Sequence, residues 1–349
     1  MSGFIIDDRL VGDHAPVYVV AEAGVNHDGD VDTALALIDA AADAGADAVK
    51  FQTFDPEALV TEDAPQAAYQ ADRAPATGQR AMLERVRLSD AAFERLAQHA
   101  AERGVTFLST PFDHASARLL DALEVAAFKV SSGDLSNLPL LVDLAGRGRP
   151  LILSTGMADA AGVAQAVDTV RAAGCHELAL LHCVSSYPTP PDQANLRAMD
   201  ALRAAYPDVV IGYSDHCLGI EISLAAVARD ARIIERHLTL DRSRHGPDHA
   251  VSLEPAELAE MMRRVREVEA ALGTPEKRPQ PAERDVMAVV RRSIVAARDL
   301  RAGESIDAKA LTVKRPAGGM PPSRLGELIG RTLARSVPRD HRLSEEDFV

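Results

Sequence analysis

The sequence predicts an α/β chain, a (β/α)8 barrel followed by a small α+β domain. Three observations carry this reading. Eight short apolar runs of strand length recur along the chain as far as Leu238. Ala-rich or amphipathic stretches of helical length separate them. Near residue 273 the alternation stops at a Pro-rich, charged segment, GTPEKRPQPAE.

The runs, in order, are VYVVAEAG (17–24), DAVKFQTF (47–54), VTFLSTPF (105–112), AAFKVSSGD (126–134), PLILSTGM (150–157), LALLHCVSS (178–186), VVIGYSDH (209–216) and ARIIERHL (231–238). Near-continuous apolar runs of this length suit parallel strands covered on both faces. Between them lie helical patterns such as TALALIDAAADAGA, DAAFERLAQHAAERG, AGVAQAVDTVRAAG and GIEISLAAVARDA. Gly45, Gly104 and Gly174 close three of these patterns, as a left-handed helix terminus requires. An open doubly wound sheet has the same periodicity, but a count of eight favours the closed barrel. The expected domains are 1–272 for the barrel, 273–285 for a linker and 286–349 for a domain with short β-like runs, Gly turns and one short helix, SRLGELIG. The stretch 55–88 interrupts the alternation and is a candidate active-site loop.

Composition narrows the function. Of 349 residues, 52 are Asp or Glu and 38 are Lys or Arg, a net charge of −14. That opposes a broad surface for nucleic acid or an anionic membrane, but leaves room for a small cationic pocket. Trp is absent, so base stacking has little to work with. Cys175, Cys183 and Cys217 show neither a disulfide framework nor metal-knuckle spacing. A reducing, cytoplasmic setting is expected. MSGFIIDDRL lacks the pattern of a signal peptide, and no apolar run is long enough to span a bilayer.

Barrel enzymes place their chemistry where strands end. The strand ends here are polar: Glu22 and Asn26; Lys50 and Gln52; Ser109 and Thr110; Lys129, Ser131 and Ser132; Ser154; His182, Ser185 and Tyr187; Ser214, Asp215 and His216; Glu235 and His237. A lysine inside an apolar strand is costly without a partner. Lys50 and Lys129 therefore either pair with carboxylates such as Glu22 or Glu235, or bind an anion, for which phosphate is the best fit. His216 and His237 end adjacent strands. They are either hydrogen-bonded rim histidines or ligands of a labile divalent metal.

At these residues the chain resembles the sialic acid (nonulosonate) synthases, which condense phosphoenolpyruvate with an N-acylated amino-hexose. The matching segments are AEAGVNHDGD, DAVKFQTF, LSTPFD, FKVSSGDLSNLPLL, LSTGMA, LLHCVSSYPTPP, IGYSDH and IERHLTLDRSRHGPDHAVSL. The stretch from SIVAARDLRAGE to VKRPAGGMPPSRLGELIGR resembles the family's antifreeze-like (SAF) domain. The resemblance implies a TIM barrel with a SAF domain. It also implies a divalent metal, Mn²⁺ or Mg²⁺, on His216 and His237. Phosphoenolpyruvate would contact Lys50, Thr110, Lys129, Ser132, Ser154, Ser185 and Ser214, although some members carry Asn where Ser185 stands. The sugar would meet Gln52, Phe112, Tyr187 and Asp248, and Glu22 would be the acid–base carboxylate. Arg315 matches an arginine that one subunit inserts into its partner's barrel, which implies a domain-swapped homodimer.

Two departures stand out. ATGQRAMLE is shorter than in many members. Gly318, Gly319 and Met320 followed by PPS look more like members using legionaminate-type substrates than those specific for N-acetylmannosamine. Three other readings compete. An octulosonate-type synthase with the same donor would lack the C-terminal domain. A two-histidine metallohydrolase would need an H-x-H after the first strand, where AEAGVNH stands. A non-catalytic carbohydrate-binding protein would not need Glu22, Lys50, Lys129, His216 and His237 together.

Overall fold

The structure is a computed structural model that describes residues 2–349. The chain forms two units, Met1–Gly273 and Thr274–Val349. The first opens with an antiparallel hairpin, β1 (Gly3–Ile6) and β2 (Arg9–Gly12), which the sequence reading did not anticipate. Eight parallel strands follow: β3 (Tyr18–Gly24), β4 (Ala48–Thr53), β5 (Thr106–Pro111), β6 (Phe128–Val130), β7 (Leu151–Ser154), β8 (Leu178–Cys183), β9 (Val210–Asp215) and β10 (Ile233–His237). They hydrogen-bond in the order β5-β4-β3-β10-β9-β8-β7-β6, and β5 lies beside β6, which brings the two end strands together. This is the (β/α)8 barrel, and each of the eight apolar runs supplies one strand.

The strands sort their side chains by the period of two. Val19, Ala21, Val49, Phe51, Phe128, Leu151, Leu153, Leu178, Leu180, Ile211 and Ile234 point outward and pack under the surrounding helices. Tyr18, Val20, Ala48, Leu108, Ile152, Ala179, Leu181, Val210 and Ile233 point inward and fill the lower barrel. Gly212 shares this inward face by parity, and a Cβ there would meet the Leu181 side chain at 2.5 Å. The hairpin closes the lower mouth: Phe4, Ile6 and Val11 join the inward cluster.

The helices end as their glycines require. Gly45, Gly104 and Gly174 all have positive φ at helix termini, and Gly104 is itself a left-handed cap. The stretch 55–88 contains three short helices, Pro56–Leu59, Ala68–Arg73 and Gln79–Val86. Gln66 ties it together by donating to the Ala74 carbonyl and accepting from the Ala76 amide.

The second unit has its own core of Ile294, Ala296, Leu300, Ile306, Leu328, Leu333 and Leu343. Strands β11 (Ser293–Ala296) and β12 (Leu311–Lys314) pair antiparallel at its centre. A short helix, Leu325–Leu328, follows a single 3₁₀ turn at Pro322–Arg324 within SRLGELIG.

Ile6 is fully buried in the barrel plug. Ile6→Ala is expected to destabilise the protein by about 2–5 kcal/mol, read as a lower urea midpoint. A loss well under 1 kcal/mol would mean that the hairpin does not stopper the barrel.

Candidate active site

The inward face changes character one layer above the apolar fill. The next inward positions are Glu22 on β3, Lys50 and Gln52 on β4, Thr110 on β5, Lys129 on β6, Ser154 on β7, Cys183 on β8, Ser214 on β9, and Glu235 and His237 on β10. They line a cavity of about 490 Å³ at the carboxyl ends of the strands. Fourteen of the fifteen expected site residues line it: Glu22, Lys50, Gln52, Thr110, Phe112, Lys129, Ser132, Ser154, Ser185, Tyr187, Ser214, His216, His237 and Asp248. The fifteenth, Arg315, lies in the second unit, exposed directly after β12. Among the described residues it makes no ion pair.

Both alternatives for the lysines meet here. The Lys50 ammonium lies 2.5 Å from Glu22 and 3.7 Å from Glu235, and donates to Thr110 Oγ1 at 3.3 Å. Lys129 lies 3.5 Å from Glu235 and donates to Ser154 Oγ at 2.7 Å. Ser214 donates to the other side of this group, at 2.9 Å from Glu235 Oε1. Two ammoniums and two carboxylates thus share one buried shell, with no net charge when all are ionised.

Their titration follows from position. Burial pushes Glu22 up to about 7 against the opposing pull of Lys50, and the nearby Glu235 adds to the rise. Burial also opposes ionisation of Glu235, but Lys129 and Lys50 outweigh it and hold that carboxyl below its ordinary value. Burial drags Lys50 down, yet Glu22 and Glu235 lift it above the ordinary amine range. Burial wins at Lys129, which falls below that range despite Glu235. The floor thus holds one carboxyl poised near neutrality beside Lys50 and Glu235, whose ionised forms are favoured, an arrangement suited to proton transfer.

A β-bulge between Glu22 and Gly24 turns the upper edge of β3 inward. A Cβ on Gly24 would sit 3.1 Å from Glu22 Oε1, 3.4 Å from Gln52 Nε2 and 3.6 Å from Asp248 Oδ2. Those three polar groups therefore converge over one glycine. Gln52 also donates to Glu22 at 3.2 Å. Burial raises Asp248 to about 6. Its backbone is held by a chain of bonds: Asn26 donates to the Leu238 carbonyl and to Ser252 Oγ, and Ser252 donates to the Asp248 carbonyl. Next to it, the buried His249 ring is gripped by Thr239 at 2.7 Å and Asp28 at 3.1 Å.

A second convergence surrounds Gly156. A Cβ there would meet Ser185 Oγ at 2.4 Å, Ser132 Oγ at 2.7 Å and Cys183 Sγ at 3.1 Å. The Gly156 amide donates to Ser132 Oγ. This is a cradle of hydroxyls with one amide at its wall, and only a residue without a side chain leaves it open.

His216 and His237 lie with ring centroids 5.4 Å apart. His216 donates from Nδ1 to the Val184 carbonyl at 2.9 Å, which fixes its ring. His237 Nδ1 is buried with no hydrogen-bond partner. Burial, and then the charge of His216, hold His237 well below the ordinary imidazole range, so its ring is neutral. An orphaned neutral imidazole beside a second, oriented one fits a divalent metal. Among the described residues no three His, Cys, Asp or Glu side chains converge on one point. A metal held by these two rings would keep most of its coordination positions for water or ligand. Tyr187 packs on His216 at 4.3 Å, and Tyr69 from the 55–88 stretch stacks on Tyr187 at 4.9 Å.

Some strand-end residues serve the fold instead. Ser109 bonds Thr53. Asp215 accepts from Cys217 N and Ser223 Oγ and lies 3.5 Å from Arg236. His182 bonds the Ala194 carbonyl. Conversely, Cys183 and Tyr69 were missed. Cys183 had a signal, since counting by twos along LALLHC places it on the inward face. Tyr69 had none, because it reaches the cavity from an insertion.

Comparison with known proteins gives the chain's family. The NeuB family model matches residues 37–277 and the SAF domain model matches 291–349. An N,N'-diacetyllegionaminic acid synthase of Campylobacter jejuni is 40% identical over 330 residues, covering 94% of this chain and 98% of its own. An N-acetylneuraminate-9-phosphate synthase of Mus musculus is 37% identical, covering 97% and 94%. The crystal structure of an N-acetylneuraminic acid synthetase from Leptospira borgpetersenii, in complex with citrate, is 35% identical and superposes with a TM-score of 0.73 over 82% of this chain and 95% of that one. With the barrel and the C-terminal domain both matched, the chain belongs to the NeuB family.

Proposed function

We propose that this protein is a nonulosonate synthase, condensing phosphoenolpyruvate and an N-acylated amino-hexose with water to a 3-deoxy nonulosonic acid and phosphate. The observation that carries the reading is the juxtaposition in one cavity of paired lysines, a hydroxyl cradle, a carboxyl titrating near neutrality and two oriented imidazoles. Full-length relatives named as synthases of nonulosonic acids support it.

Lys50 and Lys129 meet the donor's two anionic groups, and exchange part of their contact with Glu22 and Glu235 for it. Thr110, Ser154 and Ser214 sit within reach of the same ammoniums and carboxylate and orient the donor. The Gly156 cradle, with Ser132 and Ser185, receives a phosphate oxygen. Gln52, Phe112, Tyr187 and Asp248 hold the sugar above the donor. A divalent ion such as Mn²⁺ or Mg²⁺, held by His216 and His237, would polarise the sugar's aldehyde oxygen when bound. The donor's C3 then forms the new carbon–carbon bond, water adds at C2, and the tetrahedral carbon expels phosphate with C–O cleavage. Glu22 takes the proton of that water, a role for which a carboxyl near neutrality is matched.

We also infer a homodimer in which Arg315 serves the partner's site. Arg315 is exposed and, among the described residues, unpaired. The helix Arg284–Val290 leaves Val286 and Val289 more than half exposed, an apolar face suited to a subunit contact. Three unpaired cysteines fit a reducing, cytoplasmic setting.

Phosphate release from phosphoenolpyruvate with Mn²⁺ and an acylated hexose, with mass spectrometry of the product, tests the reaction. A nine-carbon 3-deoxy acid, phosphorylated or not, is expected; an eight-carbon acid would favour an octulosonate-type synthase. Gly156→Ala is expected to raise the KM for phosphoenolpyruvate at least about tenfold, because the added methyl occupies the cradle. The residue's φ is open to any amino acid, so the fold should be kept, and an unchanged KM would remove the cradle from the donor site. Arg315→Ala is expected to raise the KM for the sugar about tenfold or more while the donor's KM moves less than about twofold. Equal changes in both would contradict a sugar clamp.

A further inference from the structure

Arg315 is exposed and unpaired, but the backbone around it is tied down on every side. β12 ends at Lys314, which faces Ser293 across the β11–β12 ladder. The chain re-enters the core of the second unit at Met320. There the Met320 amide donates to the Leu343 carbonyl at 2.7 Å, and its carbonyl accepts from Ile294 at 2.8 Å. Between these two anchors runs the turn RPAGG, residues 315–319.

Three braces hold this turn. Ser293 Oγ donates to the Pro316 carbonyl at 2.8 Å and accepts from the Gly319 amide at 3.0 Å, so one hydroxyl ties both ends of the turn together. Arg342 donates to the Ala317 carbonyl at 2.7 Å. The Ala317 amide donates to the Ala288 carbonyl at 3.1 Å, on the helix Arg284–Val290. The two glycines belong to the same fit. Gly318 has φ +104°, a conformation that favours glycine. A Cβ on Gly319 would lie 3.0 Å from the Cβ atoms of both Ser293 and Arg342.

Ser293 stands out for its burial. It is fully enclosed at the start of a strand that continues as Ile-Val-Ala. A hydroxyl in such a place is costly unless it is bonded, and both of its bonds go to the Arg315 turn. The cations beside Arg315 are already engaged, Lys314 with Asp340 at 2.5 Å and Arg342 with the turn itself. Among the described residues the Arg315 guanidinium has no ionic partner.

We infer that Ser293, assisted by Arg342, is a positioning residue for the acceptor sugar: it presets the turn that presents Arg315. The inference rests on the proposed synthase reading and on the role proposed there for Arg315. Ordering a binding group on association costs less when its backbone is fixed beforehand. Here the backbone is fixed within one domain, while the planar fork of donors at the end of the side chain stays free for a ligand.

The test is a double-mutant cycle in the full-length protein, with saturating phosphoenolpyruvate and Mn²⁺. The acceptor is whichever of N-acetylmannosamine and a 2,4-diacetamido-2,4,6-trideoxy hexose is turned over faster. Ser293→Ala is expected to raise the KM for the sugar about three- to tenfold and to leave the KM for phosphoenolpyruvate within about twofold. In the Arg315→Ala background the same change is expected to move the sugar KM by less than about twofold, because the brace then has no arginine to place. Equal effects of Ser293→Ala with and without Arg315 would overturn the inference and leave Ser293 a purely structural residue. An unchanged sugar KM in folded Ser293→Ala, beside a raised one in Arg315→Ala, would overturn it while leaving the role of Arg315 intact. No effect of Arg315→Ala itself would overturn both, and no turnover of either sugar by the unaltered protein would also overturn the synthase reading. If Ser293→Ala fails to fold, Arg342→Met removes the second brace at an exposed position and is expected to show the same split between the two KM values.

Discussion

Lys50, Glu22, Lys129 and Glu235 stand inside a closed barrel, where each ion alone would be prohibitive and the four together are tolerable. Coulomb attraction in a low dielectric repays desolvation only when partners are close and their remaining lone pairs are satisfied. The ladder delivers that closeness, because Glu22 faces Lys50 across β3 and β4 and His237 across β10. Thr110, Ser154 and Ser214 add hydrogen bonds to Lys50, Lys129 and Glu235, while Glu22 Oε2 and Glu235 Oε2 rely on the ammoniums alone. The apolar layer below and the hairpin plug seal it from water on one side. The upper side stays open to the cavity, so an arriving anion can share the lysines with the carboxylates.

In the proposed reaction, Lys50 is the partner that most favours the ionised Glu22 carboxyl against burial, so the base role of Glu22 requires Lys50 to stay within reach of both the carboxyl and the donor. Above this floor, Gly24 and Gly156 mark the two places where backbone must approach side-chain oxygens closely, and each adjoins a different part of the cavity.

Much of this was legible in the sequence. Near-continuous apolar runs of strand length identified all eight barrel strands, and the polar strand ends named much of the cavity floor. The logic fails where a residue's role depends on something other than strand parity. Ser109 and Asp215 are strand-end polar groups like Thr110 and Ser214, but they differ by one position and so face the helices instead of the cavity. The β1–β2 hairpin escaped notice because its strands are four residues each, with exposed Ile5 and Leu10 obscuring the alternation. The three helices of 55–88 are too short to show helical periodicity, and Tyr69 reaches Tyr187 by a contact between segments more than a hundred residues apart.

The sequence by itself determined the barrel, the apolar lower layer and the chemical types on its upper face, because these follow from alternation within single strands. Tertiary structure alone decided the pairings. Which carboxylate neutralises which lysine depends on strand order and register. That Gly24 and Gly156 each hold an opening among polar groups depends on loops meeting across the barrel mouth. That the upper cavity has an apolar wall depends on an insertion folding its leucines, valines and methionine inward. Each of these is a relation between distant segments, fixed by packing, and no local pattern encodes it.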